Sequence, residues 1–235
     1  MSVTASLVQR LHRINRQKTD LNGQLARGPR LVAAAANRLQ AAQQQVVDTR
    51  SNLTQLKMDA DRKQLQMRER EEKIHKWQGN LNTAKENREY QTLKDQIAAD
   101  EQANLVLSDE ILEMLELIDS ITSQLADNEE QVKVLERELA EVQSQVDERR
   151  KVLEGELARV TAELAEAEAG LSGDFKREYA RLVIAKGEDA MAELEGNCCG
   201  GCYQSLTPQR LDQLLQGQPI ICPACGRLIY QDRDR

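Results

Sequence analysis

The chain contains five cysteines, and all of them lie near its carboxy terminus. Four form two pairs, with two residues inside each pair and nineteen between the pairs: Cys199, Cys202, Cys222 and Cys225. This spacing is typical of a zinc site, because a tight turn lets both sulfurs of a pair bind one ion. Gly226, directly after the second pair, can adopt the positive φ that such a turn needs. We therefore predict that these four thiols bind Zn2+.

The chemistry expected of this site is structural rather than catalytic. Four protein sulfurs fill the tetrahedral coordination of zinc and leave no position for an activated water molecule. Iron could occupy the same four sulfurs. A redox-active pair is disfavoured, since no βαβ pattern surrounds either pair. Cys198 is the surplus thiol, and its longer spacing to Cys202 makes it a less typical ligand than Cys199, although an exchange is open.

The bulk composition indicates long helices rather than an ordinary globular domain. Of the 235 residues, 30% are charged and only 3% are aromatic, and Ala, Glu, Gln, Leu and Arg dominate. No apolar run approaches the roughly 20 residues that a membrane span requires, and the amino terminus lacks an apolar stretch suited to a signal peptide. We therefore expect a cytoplasmic protein with no membrane partner. In that reducing compartment, closely spaced cysteines are more often metal ligands than disulfides.

Two long runs of apolar residues with heptad spacing account for most of the chain. The first covers residues 7–81 and the second covers residues 90–171, with turn-tolerant residues between them at 79–83. A period of 3.5 residues keeps one seam of a helix facing a partner helix. Two such runs joined by a short connection predict an antiparallel pair.

The predicted fold class is therefore mainly α, with a long antiparallel helical hairpin (a coiled coil) followed by a small zinc-ribbon domain. The hairpin covers residues 1–171 and bends at about 79–88. Within its first arm, the Gly28-Pro29 dipeptide predicts a kink or short break, because proline lacks the backbone donor and clashes with the preceding turn.

Charge supports pairing between the two arms. Residues 1–78 carry 15 Lys and Arg against 7 Asp and Glu, whereas residues 79–170 carry 9 against 23. A basic arm packed against an acidic arm places opposite charges along both flanks of the seam. A bend centred near residue 84 would place Lys63 near Asn104 and Arg70 near Asp100, where they could form a polar layer that sets the register or could instead extend past the seam to solvent.

The rest of the chain is predicted to form two short segments. Residues 172–195 should contain a short helix and a connector, in which Ala190–Leu194 could form a strand, and residues 196–235 should form the four-cysteine zinc ribbon. So small a segment, with few apolar residues, can scarcely fold alone, and the metal must supply much of its stability.

The chain resembles a bacterial family of helical hairpin proteins that carry a carboxy-terminal zinc ribbon. The matching stretches are NREYQTLKDQI at 87–97, CGGCYQSLTPQ at 199–209 and CPACGRLIY at 222–230. The resemblance implies a non-enzymatic adaptor, and some members are linked to flagellar gene control through an alternative sigma factor and messenger RNA. The chain departs from the family pattern at Cys198.

The first candidate function is that of a protein–protein adaptor. Its partner-binding residues would lie near the bend: Arg88, Glu89, Tyr90 and Lys94. Trp77 is a second aromatic candidate, although its heptad position also suits a residue that only fills the seam.

The alternative is a zinc ribbon that binds RNA or another nucleic acid. Four arginines lie in the ribbon: Arg210, Arg227, Arg233 and Arg235. They are nearly balanced by acids and thiolates, so the ribbon lacks the strong basic patch that phosphate binding requires. A better basic patch lies in the first arm: Arg10, Arg13, Arg16 and Lys18. These side chains could instead face acids of the second arm: Asp147, Glu148 and Glu154.

Catalysis is the least supported function. The two histidines, His12 and His75, are far apart along the first arm, and no nucleophile or carboxylate constellation accompanies them. A helical hairpin also offers no roomy pocket for a small-molecule substrate. We therefore expect no enzymatic activity.

Overall fold

The computed structural model describes residues 4–171 and 173–231 of the chain, and it confirms the predicted fold class. Two long helices, α1 (Ala5–Leu81) and α2 (Asn87–Ala169), pack together as an antiparallel pair and are joined by residues 82–86. A shorter helix, α3 (Gly173–Lys186), precedes a small four-stranded sheet.

The chain divides into two compact units. The terminal unit comprises Met1–Ala33 and Val142–Arg235, and the central unit comprises Ala34–Glu141. Each unit contains a stretch of α1 and a stretch of α2.

The seam of the central unit has the heptad pattern that the sequence indicates. Leu53 and Ala60 of α1 form a buried cluster with Ile118 and Ile121 of α2. Burying apolar side chains at this spacing stabilises the helix pair, because most of the remaining surface of both helices is polar. An exposed ion pair between Arg50 and Glu129, 2.6 Å apart, lies on one flank.

The register of the seam differs from the expected one. Lys63 Nζ lies 2.6 Å from Glu110 Oε2, six positions beyond the Asn104 that a bend centred at residue 84 would place opposite it. Asn104 Oδ1 is buried and has no hydrogen-bond partner. Buried apolar contacts along the seam set the register, and the midpoint of the connecting turn is a poor guide to it.

Helix α1 continues through Pro29, so the predicted break is absent. Gly28 explains the close packing at this point: a Cβ atom there would lie 2.8 Å from Val146 Cγ1 of α2. This distance is shorter than a normal van der Waals contact, and the two helices can approach as they do because residue 28 has no side chain.

In the terminal unit, α1, α2, α3 and the sheet share one hydrophobic core. Its fully or nearly fully buried members include Val8, Leu11, Ile14, Val160, Leu182, Leu228 and Tyr230. Asn15 is a buried polar residue within this core: its Nδ2 donates to the Leu11 carbonyl at 2.8 Å and to the Tyr179 hydroxyl at 2.9 Å. The Tyr179 hydroxyl donates in turn to Glu168 Oε1, at 3.1 Å. Burial raises the pKa of Tyr179, so the hydroxyl keeps the proton that this hydrogen bond needs.

The sheet has the order β2-β1-β4-β3, with β1 at Met191–Glu195, β2 at Cys198–Cys199, β3 at Ile220–Ile221 and β4 at Leu228–Tyr230. Strand β1 is parallel to β4, with Met191 opposite Leu228, while β2 and β3 pair antiparallel with their neighbours. Strand β1 lies in the connector and overlaps the strand that the sequence indicates at Ala190–Leu194. Helix α4 (Pro208–Leu215) lies between β2 and β3 in sequence.

Within the described ranges 4–171 and 173–231, no helix combines the length and apolar character that a bilayer crossing needs.

The packing at Gly28 gives a testable prediction. At the exposed Gly23, where an added Cβ meets nothing within 4 Å, Gly23→Ala should raise the free energy of unfolding by about 1 kcal/mol. Gly28→Ala should not give this increase in the free energy of unfolding, because the added Cβ would clash with Val146. In the Gly28→Ala variant, Val146→Ala should lower the free energy of unfolding by less than it does in the wild type. Thermal denaturation of all four variants measures the coupling, and equal stabilisation by both alanines would contradict it.

Candidate metal centre

The structure brings together the sulfurs of Cys199, Cys202, Cys222 and Cys225. All four Sγ atoms lie within 4.8 Å of one another. The Sγ atoms of Cys199 and Cys225 are 3.8 Å apart, and those of Cys202 and Cys222 are 3.7 Å apart. A tetrahedral ion with Zn–S bonds of about 2.3 Å requires sulfur–sulfur separations of about 3.8 Å, whereas a disulfide bond is only about 2.05 Å long. The four thiols therefore fit a tetrahedral metal ion.

Two turns of the same backbone design position these sulfurs. In the first, the amide of Tyr203 donates to the Cys199 carbonyl at 2.7 Å. In the second, the amide of Gly226 donates to the Cys222 carbonyl at 2.9 Å. Tyr203 and Gly226 both have positive φ, 61° and 73° respectively. Each pair of cysteines thus sits on a turn that ends in a left-handed residue.

The two glycines inside the first pair are required by close packing. A Cβ atom at Gly200 would lie 2.5 Å from the Glu193 carbonyl oxygen, and one at Gly201 would lie 2.4 Å from Arg227 Cδ. Any larger residue at either position would push the turn away from β1 or from Arg227. The CGGC stretch therefore lets the first turn pack tightly against its neighbours.

Hydrogen bonds to the sulfurs stabilise negative charge in the cluster. Cys199 accepts from the amides of Gly201 and Cys202, although burial raises the pKa of its thiol to about 12. Burial also acts to raise the pKa of Cys225, but donation from the amide of Arg227 and from neighbouring thiols outweighs it and lowers that pKa to about 6. A bound cation would favour the thiolate form of all four cysteines.

Cys198 lies outside the four-sulfur cluster. It is adjacent to Cys199 in strand β2, and successive side chains of a strand point to opposite faces of the sheet. Its Sγ atom lies 3.6 Å from Ser205 Oγ. The strand geometry thus separates the surplus thiol from the other four.

Arg227 is a residue of this site that charge counting alone did not identify. Its Nε donates to the Asp189 carbonyl at 2.8 Å, and its Nη1 donates to the Gly201 carbonyl at 2.9 Å. Its guanidinium also donates to the Cys225 sulfur. One side chain therefore links both cysteine turns to the segment before β1. The sequence signal for Arg227 was its position directly after CPACG, where the bacterial hairpin family that the chain resembles also has an arginine.

Three solved structures share this architecture. CT398 from Chlamydia trachomatis has a TM-score of 0.80 at 15% identity, over 97% of both chains. HP0958 from Helicobacter pylori has a TM-score of 0.68 at 17% identity, over 99% of both chains. A Mycobacterium smegmatis protein has a TM-score of 0.57 at 17% identity, over 98% of this chain and 100% of its own. At these identities the similarity shows the fold alone.

No protein-family model matches the chain, and no curated protein matches its sequence.

The residues predicted to bind a partner near the bend lie in the first turns of α2. Arg88, Glu89, Tyr90 and Lys94 are all exposed, and Tyr90 is 43% exposed. Trp77 of α1 is half-buried. These residues belong to the central unit, whereas the cysteines belong to the terminal unit.

The basic patch of the first arm is partly neutralised. Arg10 and Arg13 lie 3.5 and 3.7 Å from Glu163 Oε1, so an acid of the second arm does face them. This acid is not one of the three expected, and two of those, Asp147 and Glu154, pair on their own helix with Arg150.

His12 is a further contact that the sequence did not indicate. Its Nδ1 atom lies 2.9 Å from the Tyr230 hydroxyl, and the two rings meet edge to face. Burial lowers the pKa of His12 below 6.5, and nearby Arg16 lowers it further, against the opposing effect of Asp189. A neutral imidazole therefore joins α1 to β4, directly beyond the second cysteine turn.

We predict that metal content depends on the four clustered cysteines and not on Cys198. Cys198→Ser should retain one equivalent of metal, whereas Cys199→Ser should retain much less, because a hydroxyl is a far poorer zinc ligand than the thiolate that it replaces. Elemental analysis of both purified variants measures this. Loss of metal from Cys198→Ser, or its retention in Cys199→Ser, would overturn the ligand assignment.

His12 predicts a pH dependence of stability. As the pH falls below 6.5, the unfolded chain binds a proton at His12 more readily than the folded chain does, so the free energy of unfolding decreases. His12→Gln should lessen this decrease in the metal-loaded protein, while His75→Gln should leave it unchanged. Urea denaturation between about pH 7 and pH 5 measures the difference, which would vanish if His12 did not contribute.

Proposed function

We propose that this protein is a non-enzymatic cytoplasmic adaptor whose carboxy-terminal module is a structural zinc ribbon. One observation carries the proposal: the chain itself supplies four sulfurs at the separations of a tetrahedral site. Zn2+ bound there would cross-link the two cysteine turns. In the described ranges, these cysteines are the one group of at least three Cys, His, Asp or Glu placed to hold a metal.

The first cysteine turn supports a binding role for the ribbon. Tyr203 is 70% exposed and has a φ of 61°, which costs a residue with a side chain on the order of 1 kcal/mol relative to glycine. The equivalent position of the second turn is Gly226. An aromatic ring kept in a strained conformation, with little packing around it, suits contact with a partner.

The central unit offers the second binding surface. Tyr90 is exposed beside Arg88, Glu89 and Lys94, in a group that combines an aromatic ring with both signs of charge. Aromatic residues with a polar tip are frequent energetic centres of protein interfaces. Because the chain resembles the bacterial hairpin family, an alternative sigma factor is the binding partner that we propose.

RNA binding is the alternative function, and the contacts of the arginines favour it less. Arg227 is engaged with Asp189 and Gly201, and Arg210 donates to the Ile221 carbonyl. Arg233 and Arg235 lie outside the described residues. Among the described residues of the ribbon, the basic groups available for phosphate contacts are therefore few, and phosphate contacts supply most of the affinity for nucleic acid.

Tyr203 permits a test that separates binding from stability. Tyr203→Gly should stabilise the ribbon by relieving the positive φ, yet weaken binding to a purified alternative sigma factor by about 10-fold. Gly226→Ala is the matched control: it introduces the same strain in the other turn, lowers stability and should leave the affinity unchanged. Biolayer interferometry and resistance to chelators measure the two quantities.

Four outcomes would count against parts of this proposal. An affinity that follows stability across these variants would show that Tyr203 is only structural. Absence of sigma-factor binding by the wild type would reject that partner. Binding that survives Tyr90→Ala unchanged would remove the second surface. A gel shift of RNA at low salt, suppressed by added salt, would favour the alternative function.

A further inference from the structure

Part of the α2 helix in the central unit is strongly acidic and also exposes leucines. Its segment 95–132 contains eleven Asp and Glu and no Lys, Arg or His. Within this segment Leu105 is 62% exposed, Leu112 is 57% exposed and Leu115 is 41% exposed. A helix face that met only water would be polar, so these three leucines are candidates for contact with another molecule.

The three leucines lie on one side of α2. A helix turns by about 100° per residue, so Leu105, Leu112 and Leu115 fall within a sector of about 80°. Ser108 lies between the first two, and steps of three, four and three residues make each member the surface neighbour of the next. We call these four residues the leucine row. The buried Ile111 lies about 100° from Leu112, so the leucine row borders the seam with α1 without belonging to it.

Exposed carboxylates surround the leucine row. One acid lies about one turn beyond each end of the row, and two more lie along the edge that faces away from α1. These four acids are Glu101, Asp119, Asp109 and Glu116. In the part of the chain that the structure describes, none of the four carboxylates forms an ion pair, whereas other acids of α2 do. The leucine row is therefore an apolar strip framed by unpaired negative charge.

The neighbouring surface of α1 does not cancel this charge. The ion pair of Arg50 with Glu129 marks the flank concerned, because Glu129 lies about 40° from Leu115 around α2. Between residues 51 and 70 of α1, the exposed charged residues within about 20° of Arg50 are Lys57, Asp61 and Arg68. Two bases and one acid are fewer charges than the four acids of α2, so the flank remains acidic.

The spacing along the leucine row suits the packing of another helix. In knobs-into-holes packing, a side chain of one helix inserts among residues i, i+3, i+4 and i+7 of its neighbour. Leu105, Ser108, Asp109 and Leu112 form one such set, in which the small Ser108 leaves room for the inserted side chain. The set one heptad further along consists of Leu112, Leu115, Glu116 and Asp119. Each set combines apolar side chains with a carboxylate that a neighbouring base can reach.

We infer that the leucine row binds an amphipathic helix of a partner protein that is rich in Lys and Arg. Apolar side chains one heptad apart on that helix fill the two sets, and bases beside them pair with the four carboxylates. An acidic helix or an anionic membrane surface would be repelled by the same carboxylates. The inference is independent of the contacts proposed for Tyr203 and Tyr90, because neither residue lies in the leucine row.

A synthetic helical peptide of about 20 residues tests the kind of partner. It carries leucines at heptad spacing with lysines beside them, and a scrambled peptide of the same composition is the reference. By fluorescence anisotropy, the metal-loaded full chain should bind the ordered peptide at least about 10-fold more tightly than the scrambled one. Raising the salt from about 50 to about 300 mM should weaken this binding. Equal affinity for both peptides would overturn the inference, because charge alone would then explain the binding.

Leu112→Glu locates the binding site, and Leu117→Glu is its matched control. Leu117 is 47% exposed and lies about 140° from Leu112 around the helix. Both variants add one negative charge, and both should keep the helical circular dichroism of the wild type. Leu112→Glu should weaken binding of the ordered peptide by at least about 10-fold, because both sets share Leu112, whereas Leu117→Glu should change it by less than about 2-fold. An equal loss in both variants would overturn the inference.

Sedimentation velocity of the same variants tests a second copy of the chain as the occupant. Self-association of the wild type that Leu112→Glu abolishes and Leu117→Glu retains would assign the leucine row to a second copy and overturn the inference.

Discussion

The apolar seam between α1 and α2 is the constraint on which the rest of the structure depends. Helices of 77 and 83 residues have little else to bury, so the seam decides which surfaces face each other. Exposed ion pairs such as Arg50–Glu129 add little stability, but they favour the pairing of a basic helix with an acidic one. Within the terminal unit, the sheet packs against the same two helices.

Strand β4 connects the candidate metal centre to the packed helices of the terminal unit. Leu228 and Tyr230 enter the helical core directly after the second cysteine turn, and His12 holds the Tyr230 hydroxyl. Arg227 joins the two cysteine turns to each other. Packing and hydrogen bonds therefore hold one side of the ribbon against the helices, and the four sulfurs organise its other side. A structural metal in such a module would keep a binding surface rigid.

The two cysteine turns differ in the residue that ends each of them. Their backbone hydrogen bonds are equivalent, yet one ends in Gly226 and the other in Tyr203. Glycine is the residue that this conformation favours, so a tyrosine there is opposed by local energetics. Local sequence rules fail at Tyr203, and such failures concentrate at sites that contact other molecules.

The sequence by itself determined the helix pair and the four-cysteine donor set, because both follow from spacing between nearby residues. It did not determine how distant residues meet. The Lys63–Glu110 register, the continuity of α1 through Pro29 beside Val146, and the contacts of His12 and Arg227 depend on residues far apart in the chain. The separation of Cys198 from its neighbour came from the strand β2, a pairing too short to recognise from two residues. Tertiary packing decided these features, since periodicity specifies which face is buried but not what lies against it.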